Sequence, residues 1–168
     1  MEKYAAALGE ILYRQKALSK EDQQALVRDF TEGDPAQLNY FLLDEALVSK
    51  QALLSALAEY YQIPYFDVRG YQFNHELLAL FPQQVLVQYA VLPIEFDDNI
   101  LTVVAGQADL AGLREILRQY TTHHIEFRAG ITRDIVDEIR AYYEDPPNEA
   151  EIDREEDEHD DSDIVDVV

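Results

Sequence analysis

The feature that most constrains this chain is an internal repeat. Leu8-Gly9-Glu10-Ile11-Leu12 is matched by Leu38-Asn39-Tyr40-Phe41-Leu42, and Lys16-Ala17-Leu18-Ser19-Lys20 by Ala46-Leu47-Val48-Ser49-Lys50, at an offset of 30 residues. A unit of that length cannot bury its apolar face alone, so the two copies are expected to stack on each other. Each copy reads as helix, short turn, helix. Ala7, Leu8, Ile11 and Leu12 fall at helical spacing. Ser19 is placed as an N-cap with Asp22 three residues on, opening a helix through Leu26 to about Phe30. Gly33-Asp34-Pro35 ends that helix and starts the next, with Asp34 as cap and Pro35 at the first helical position. Leu38, Phe41, Leu42 and Leu43 give the third helix its buried face, and Ser49 caps a fourth that turns Leu53, Leu54, Leu57 and Tyr61 inward. Two helical hairpins packed face to face are therefore expected over residues 1–68.

The second half follows another pattern. Ile63-Pro64-Tyr65-Phe66-Asp67-Val68 leaves the fourth helix in extended form, because a residue before proline avoids the α region. Phe73 to Leu80 reads as a short helix, and another follows Pro82. Val91 to Phe96 and Ile100 to Ala105 are β-branched runs around Asp97-Asp98-Asn99, the local signal of a hairpin. Pro93 cannot donate to a ladder, which places it at a strand start or on an edge. A helix with Leu113, Ile116, Leu117 and Tyr120 on one face, a strand from His124 to Phe127, and a helix from Ile131 to Tyr143 complete the unit. The expected fold class is α+β: a helical-hairpin repeat (1–68), a small sheet with packed helices (69–144), and an acidic tail (145–168).

Charge is distributed unevenly. The chain carries a net charge of −21, yet residues 144–168 alone hold 13 acidic residues against the single Arg154, a net of −12 that leaves −9 for residues 1–143. A segment so poor in apolar surface cannot offset its ordering entropy, so the tail is expected to be disordered. Its end, Ile164-Val165-Asp166-Val167-Val168, is apolar again: a strand that pairs with something beyond this chain, or simply a ragged terminus. The body is too acidic for nucleic acid, whose phosphates demand a basic stripe, and for direct docking on anionic lipid. The absence of cysteine excludes disulfides and thiolate chemistry and fits a reducing compartment. Met1-Glu2-Lys3-Tyr4 is not the start of a signal peptide, and no apolar run approaches the ~20 residues of a membrane span. A cytoplasmic protein without membrane insertion is expected.

No reactive set stands out. The glycines at 9, 33, 70, 106, 112 and 130 do not give the spacing of a phosphate-binding loop. His123 and His124 beside Glu126 point to opposite faces of a strand and so do not converge on one metal. His159 lies among carboxylates without the order of a calcium loop. A non-enzyme without cofactor is expected. Arg114, Arg118, Arg128, Arg133 and Arg140 make the second half less acidic. They form a docking patch for an acidic partner, or pair locally with Glu115, Glu126, Asp137 and Glu138, which is the simpler reading.

The repeat, the Leu-Gly-Glu-Ile-Leu opening, the phrase Tyr61-Gln-Ile-Pro-Tyr-Phe-Asp67, and the Pro82…Leu92-Pro93…Leu101-Thr-Val core together resemble the N-terminal domain of type II secretion and type IV pilus assembly ATPases, also called the MshEN domain. The resemblance covers residues 4–144, and the acidic stretch after it looks like the linker that precedes the ATPase portion of such proteins. It implies a regulatory and docking domain that binds a cytoplasmic part of an inner-membrane platform protein, peripheral to that membrane through its partner; the less acidic second half offers Arg114, Arg118, Arg128 and Arg133 as candidate docking residues. The alternative it implies is a cyclic di-GMP receptor, whose ligand positions fall on Leu8, Gly9, Leu12, Leu38, Asn39 and Leu42. The pattern of that subset is degenerate here. Its arginine positions fall on Ala7 and Gln37, its turn glycines on Lys16 and Ala46, and its closing glutamines on Phe30 and Tyr60. The second Leu-Gly has become Leu38-Asn39, and an Asp-Pro after the second strand has become Gln107-Ala108.

Overall fold

The computed structural model describes residues 2–30 and 34–144; the expected acidic tail and Gly33 lie outside them. Four helices come first: α1 (Glu2–Arg14), α2 (Lys20–Asp29), α3 (Pro35–Asp44) and α4 (Lys50–Tyr61). Their starts are set by local chemistry. The Ser19 and Ser49 hydroxyls accept from the amides of Asp22 and Ala52, each at 3.1 Å, and the Asp34 carboxylate accepts from Ala36. The ends repeat too. Lys16 (φ 65°) and Ala46 (φ 54°) both adopt the left-handed conformation, with paired closing bonds from Ala17 to the Leu12 carbonyl at 2.8 Å and from Leu47 to the Leu42 carbonyl at 3.0 Å. These are matched Schellman ends, so the repeat in sequence is a repeat in backbone.

Leu8, Leu12, Leu38, Leu42, Leu53, Leu54 and Leu57 form the interior of this bundle, each no more than 2% exposed. Ala129 and Ile131, from the far end of the chain, are buried in the same cluster.

The remaining elements are α5 (His75–Leu78), α6 (Gln83–Tyr89), β1 (Val91–Asp97), β2 (Ile100–Ala105), α7 (Leu113–Arg118), β3 (His124–Ala129) and α8 (Thr132–Glu144). The sheet has the order β1-β2-β3, with β1 antiparallel and β3 parallel to β2. Asp98 (φ 54°) and Asn99 (φ 64°) make the two-residue turn of the β1–β2 hairpin, whose twist matches that of the strands. Pro93 lies inside β1, an edge strand, beside a register shift between Pro93 and Glu95; the missing donor falls where no ladder bond is needed. The central strand is covered on both faces, with Leu101, Val103, Val104 and Ala105 fully buried. The architecture is α+β.

One expectation is narrowed and one corrected. The expected extended segment after α4 makes a single parallel bridge, Tyr65 to Ala129. Pro64 offers no donor, and the chain turns away at once: Asp67 caps the Arg69 amide and Gly70 takes φ 79°. The helix expected from Phe73 to Leu80 is the single turn α5. Asn74 caps its start, and Pro82 keeps Phe81 from continuing it.

Candidate functional site

The six positions that the resemblance gives to a ligand lie in the interior. Leu8, Gly9, Leu12, Leu38, Asn39 and Leu42 are all buried between the hairpins. Gly9 lets α2 approach α1: a Cβ there would stand 3.3 Å from Gln23 Cγ. Asn39 is 3% exposed, and its Oδ1 accepts from the Tyr4 hydroxyl at 2.7 Å. Beside the second copy, a cavity of about 260 Å³ is lined by Ala36, Gln37, Tyr40, Thr132 and Arg133. Arg133 lies there with its guanidinium 4.0 Å from the Tyr40 ring centre and 3.3 Å from Asp44 Oδ1.

Three of the four docking arginines gather elsewhere. Arg114 and Arg118 on α7, and Arg128 on β3, line a cavity of about 420 Å³ with Ile63, Pro64 and Phe127. A second cavity of about 530 Å³ continues from it past Arg114 to Tyr60 and Tyr61. Together they form a groove beside the outer edge of β3. Arg114 donates to the Ile125 carbonyl and lies over the Phe127 ring, 5.0 Å from its centre. Arg128 donates to the Phe127 carbonyl at 3.1 Å. Arg118 is exposed. Glu126, His124 and Asp109 are the other titratable groups of the groove wall. Arg133 stands apart, on the α3 side of α8.

Two of the carboxylates expected to pair locally with these arginines pair with a distant residue instead. Asp137 and Glu138 are held by Arg69, at 3.0 and 3.1 Å. Arg69 also reaches Asp134 at 3.1 Å, and Lys50 Nζ stands 3.0 Å from the other Asp134 oxygen as an ion pair without hydrogen-bond alignment. Asp134, 4% exposed, thus sits between two cations and fastens α4 and the 63–69 segment to α8. The cations' exposed sides moderate the desolvation cost of burying that carboxylate. Nothing local in the sequence marks Arg69, and for Asp134 the one local signal is a carboxylate in the first turn of α8.

Burial, followed by the nearby Tyr61, raises the Tyr4 hydroxyl well above its ordinary pKa. Burial and Asp109 raise Tyr61 as well. Among the described residues, no group of three or more His, Cys, Asp or Glu could hold a metal ion, and no helix is long and apolar enough to cross a membrane.

Comparison with known proteins places this geometry. Residues 61–149 match the MshEN domain model. Over 96 residues the chain is 30% identical to bacteriophage adsorption protein B of Escherichia coli K12, which covers 57% of this chain and 13% of that protein. Bacteriophage N4 adsorption protein B of Escherichia coli O157:H7 matches to the same extent. The chain thus corresponds to a small fraction of the curated relatives' length. The fold is shared with the structure of MshE with cdg (TM-score 0.63, 24% identity, 81% of this chain and 98% of that one). It is also shared with the N-terminal domain of XpsE (TM-score 0.56, 20% identity, 82% and 94%). The match spans more than half of the sequence, through α6, the whole sheet and α8, and the chain therefore belongs to the MshEN domain family.

Proposed function

We propose that this chain is a non-catalytic docking and regulatory domain that binds an acidic cytoplasmic part of an inner-membrane platform protein. It would sit at the cytoplasmic face of that membrane through its partner. The observation that carries this reading is the convergence of Arg114, Arg118 and Arg128 on one apolar groove in a chain of net charge −21. Guanidinium groups bind carboxylates by paired donors, and on so acidic a body a local basic surface selects partners by steering them to one place. The hairpins and the sheet unit serve as the rigid support, with residues 145–168 as the linker. Coprecipitation with the cytoplasmic domain of the neighbouring platform protein tests the reading. Binding that is lost in Arg118→Glu supports it; no binding by the unaltered chain refutes it.

A second reading, a cyclic di-GMP receptor, is favoured by one observation. The cavity at Gln37, Tyr40 and Arg133 adjoins the second copy of the repeat and offers a guanidinium and an aromatic ring, groups that suit a nucleotide. The relative MshE was solved with cdg. In this reading Leu8, Gly9, Leu12, Leu38, Asn39 and Leu42 shape the ligand site through packing and backbone. Equilibrium dialysis with cyclic di-GMP decides it: no uptake at about 10 µM and above removes it.

A further inference from the structure

The two edges of the sheet are finished differently. On β1, Pro93 has no amide to offer and the Tyr71 hydroxyl donates to the Ile94 carbonyl at 3.0 Å, so that edge is closed. On β3 the even-numbered residues bond inward, His124 to the Asn99 carbonyl at 3.3 Å, with Gly130 following to that of Ala105 at 3.1 Å. The odd-numbered residues face outward. Ala129 is matched there by the 64–66 segment, donating to the Pro64 carbonyl and accepting from the Phe66 amide, both at 2.8 Å. Beyond Ala129 the ladder stops, and the carbonyls of Phe127 and Ile125 are held by the side chains of Arg128 and Arg114. Guanidinium groups stand where a further strand's amides would be.

We propose that the chain's own acidic segment occupies this groove: Asp163-Ile164-Val165-Asp166-Val167-Val168 adds as a short strand along the outer edge of His124–Phe127. Its valines and isoleucine have the β-branched side chains that suit a strand and meet Ile63, Pro64 and Phe127. Its amides replace the guanidinium donors on the Ile125 and Phe127 carbonyls, and the released Arg114 and Arg128, with Arg118, pair with Asp163 and Asp166. Residues 145–168 carry 12 acidic residues and one arginine, which complements the arginines and outweighs Glu126 and Asp109 on the groove wall. Reach is no obstacle. The stretch from Glu144 to Asp163 spans at most ~65 Å extended, whereas a body of this length has a radius of gyration of about 15 Å. This inference rests on the docking reading for its consequence: the segment competes with the platform partner for one groove.

The absence of cysteine allows a clean test on the full chain. A nitroxide on Val168→Cys should strip most of the intensity from the Ile125 and Phe127 amide signals while sparing Ile94 on the closed edge. The loss should fade with added salt, and should disappear in Arg118→Glu and, separately, in Asp163→Lys/Asp166→Lys, which leaves the described fold untouched. Equal broadening at Ile94 and Ile125, or none, overturns the proposal, as does broadening that survives both charge variants. Broadening seen only when spin-labelled and isotope-labelled chains are mixed assigns the groove to a second copy and also overturns it. None of these outcomes depends on the platform protein. Coprecipitation can therefore fail while the fold-back stands, or succeed while it falls.

Discussion

Tyr4 and Asn39 join the two copies of the repeat: the Tyr4 hydroxyl donates to Asn39 Oδ1 at 2.7 Å inside the hydrophobic interior of the helical bundle. Asn39 occupies the place corresponding to Gly9, 30 residues earlier. A small residue in one copy and a polar side chain in the other make the repeat asymmetric at its centre.

That bond should behave as a pair. Tyr4→Phe or Asn39→Ala alone leaves a buried polar group without its partner and should cost about 1–3 kcal/mol of unfolding free energy in urea. Tyr4→Phe combined with Asn39→Ala should cost less than the sum of the single changes. Strict additivity would show that the bond contributes nothing.

Alkaline pH should loosen the fold. Tyr4 and Tyr61 both hold their protons above the ordinary tyrosine range, chiefly because they are buried. In the unfolded chain these hydroxyls titrate near pH ~10. The folded state then binds more protons than the unfolded one above that pH, so the stability they confer is complete below pH ~10 and is lost as pH rises further. Urea midpoints should fall between about pH 9 and about pH 11, and Tyr4→Phe should reduce the slope. A flat profile, or tyrosinate absorbance appearing in full before unfolding, would contradict this.

Ala46 and Lys16 are non-glycine residues in the left-handed region. Ala46→Gly should relieve more strain than it adds in unfolded-state entropy, raising stability by about 0.5–1 kcal/mol, and Lys16→Gly should do the same. Thermal unfolding measures the sign directly; a lower midpoint in both would show that the Schellman ends are unstrained.

Gly130 has no room for a side chain. A Cβ would lie 2.5 Å from Val104 Cγ1 and 3.2 Å from Ile135 Cδ1, both part of the sheet core. Gly130→Ala should destabilise by about 1–3 kcal/mol, and Gly130→Ala with Val104→Ala should recover part of the loss of the single change. No recovery would place the clash elsewhere.

What the sequence disclosed is short in range. Ser19, Asp34 and Ser49 act on amides two or three residues away, and the Asp98-Asn99 turn is its own signal, so these features could be read directly. What escaped depends on distant partners. Arg69 meets Asp137 across 68 positions, and no local pattern announces that pairing. The docking arginines were legible as residue types only. That α7 brings Arg114 to the Ile125 carbonyl, while Arg133 departs to Tyr40 and Asp44, follows from how helices pack on the sheet. Helix α5 is shorter than its sequence suggests because Phe73, Leu77, Leu78 and Leu80 advertise a helix while Asn74 and Pro82 restrict it to one turn.

Ala129 and Ile131, at the junction of β3 and α8, are covered by the helical repeat and not by the sheet unit to which they belong in sequence. A recombinant piece cut to the matched region, beginning at residue 61, would leave that junction without its covering helices. Measurements on such a piece would describe an opened interior, so partner and nucleotide assays on this protein belong on chains that keep the first four helices.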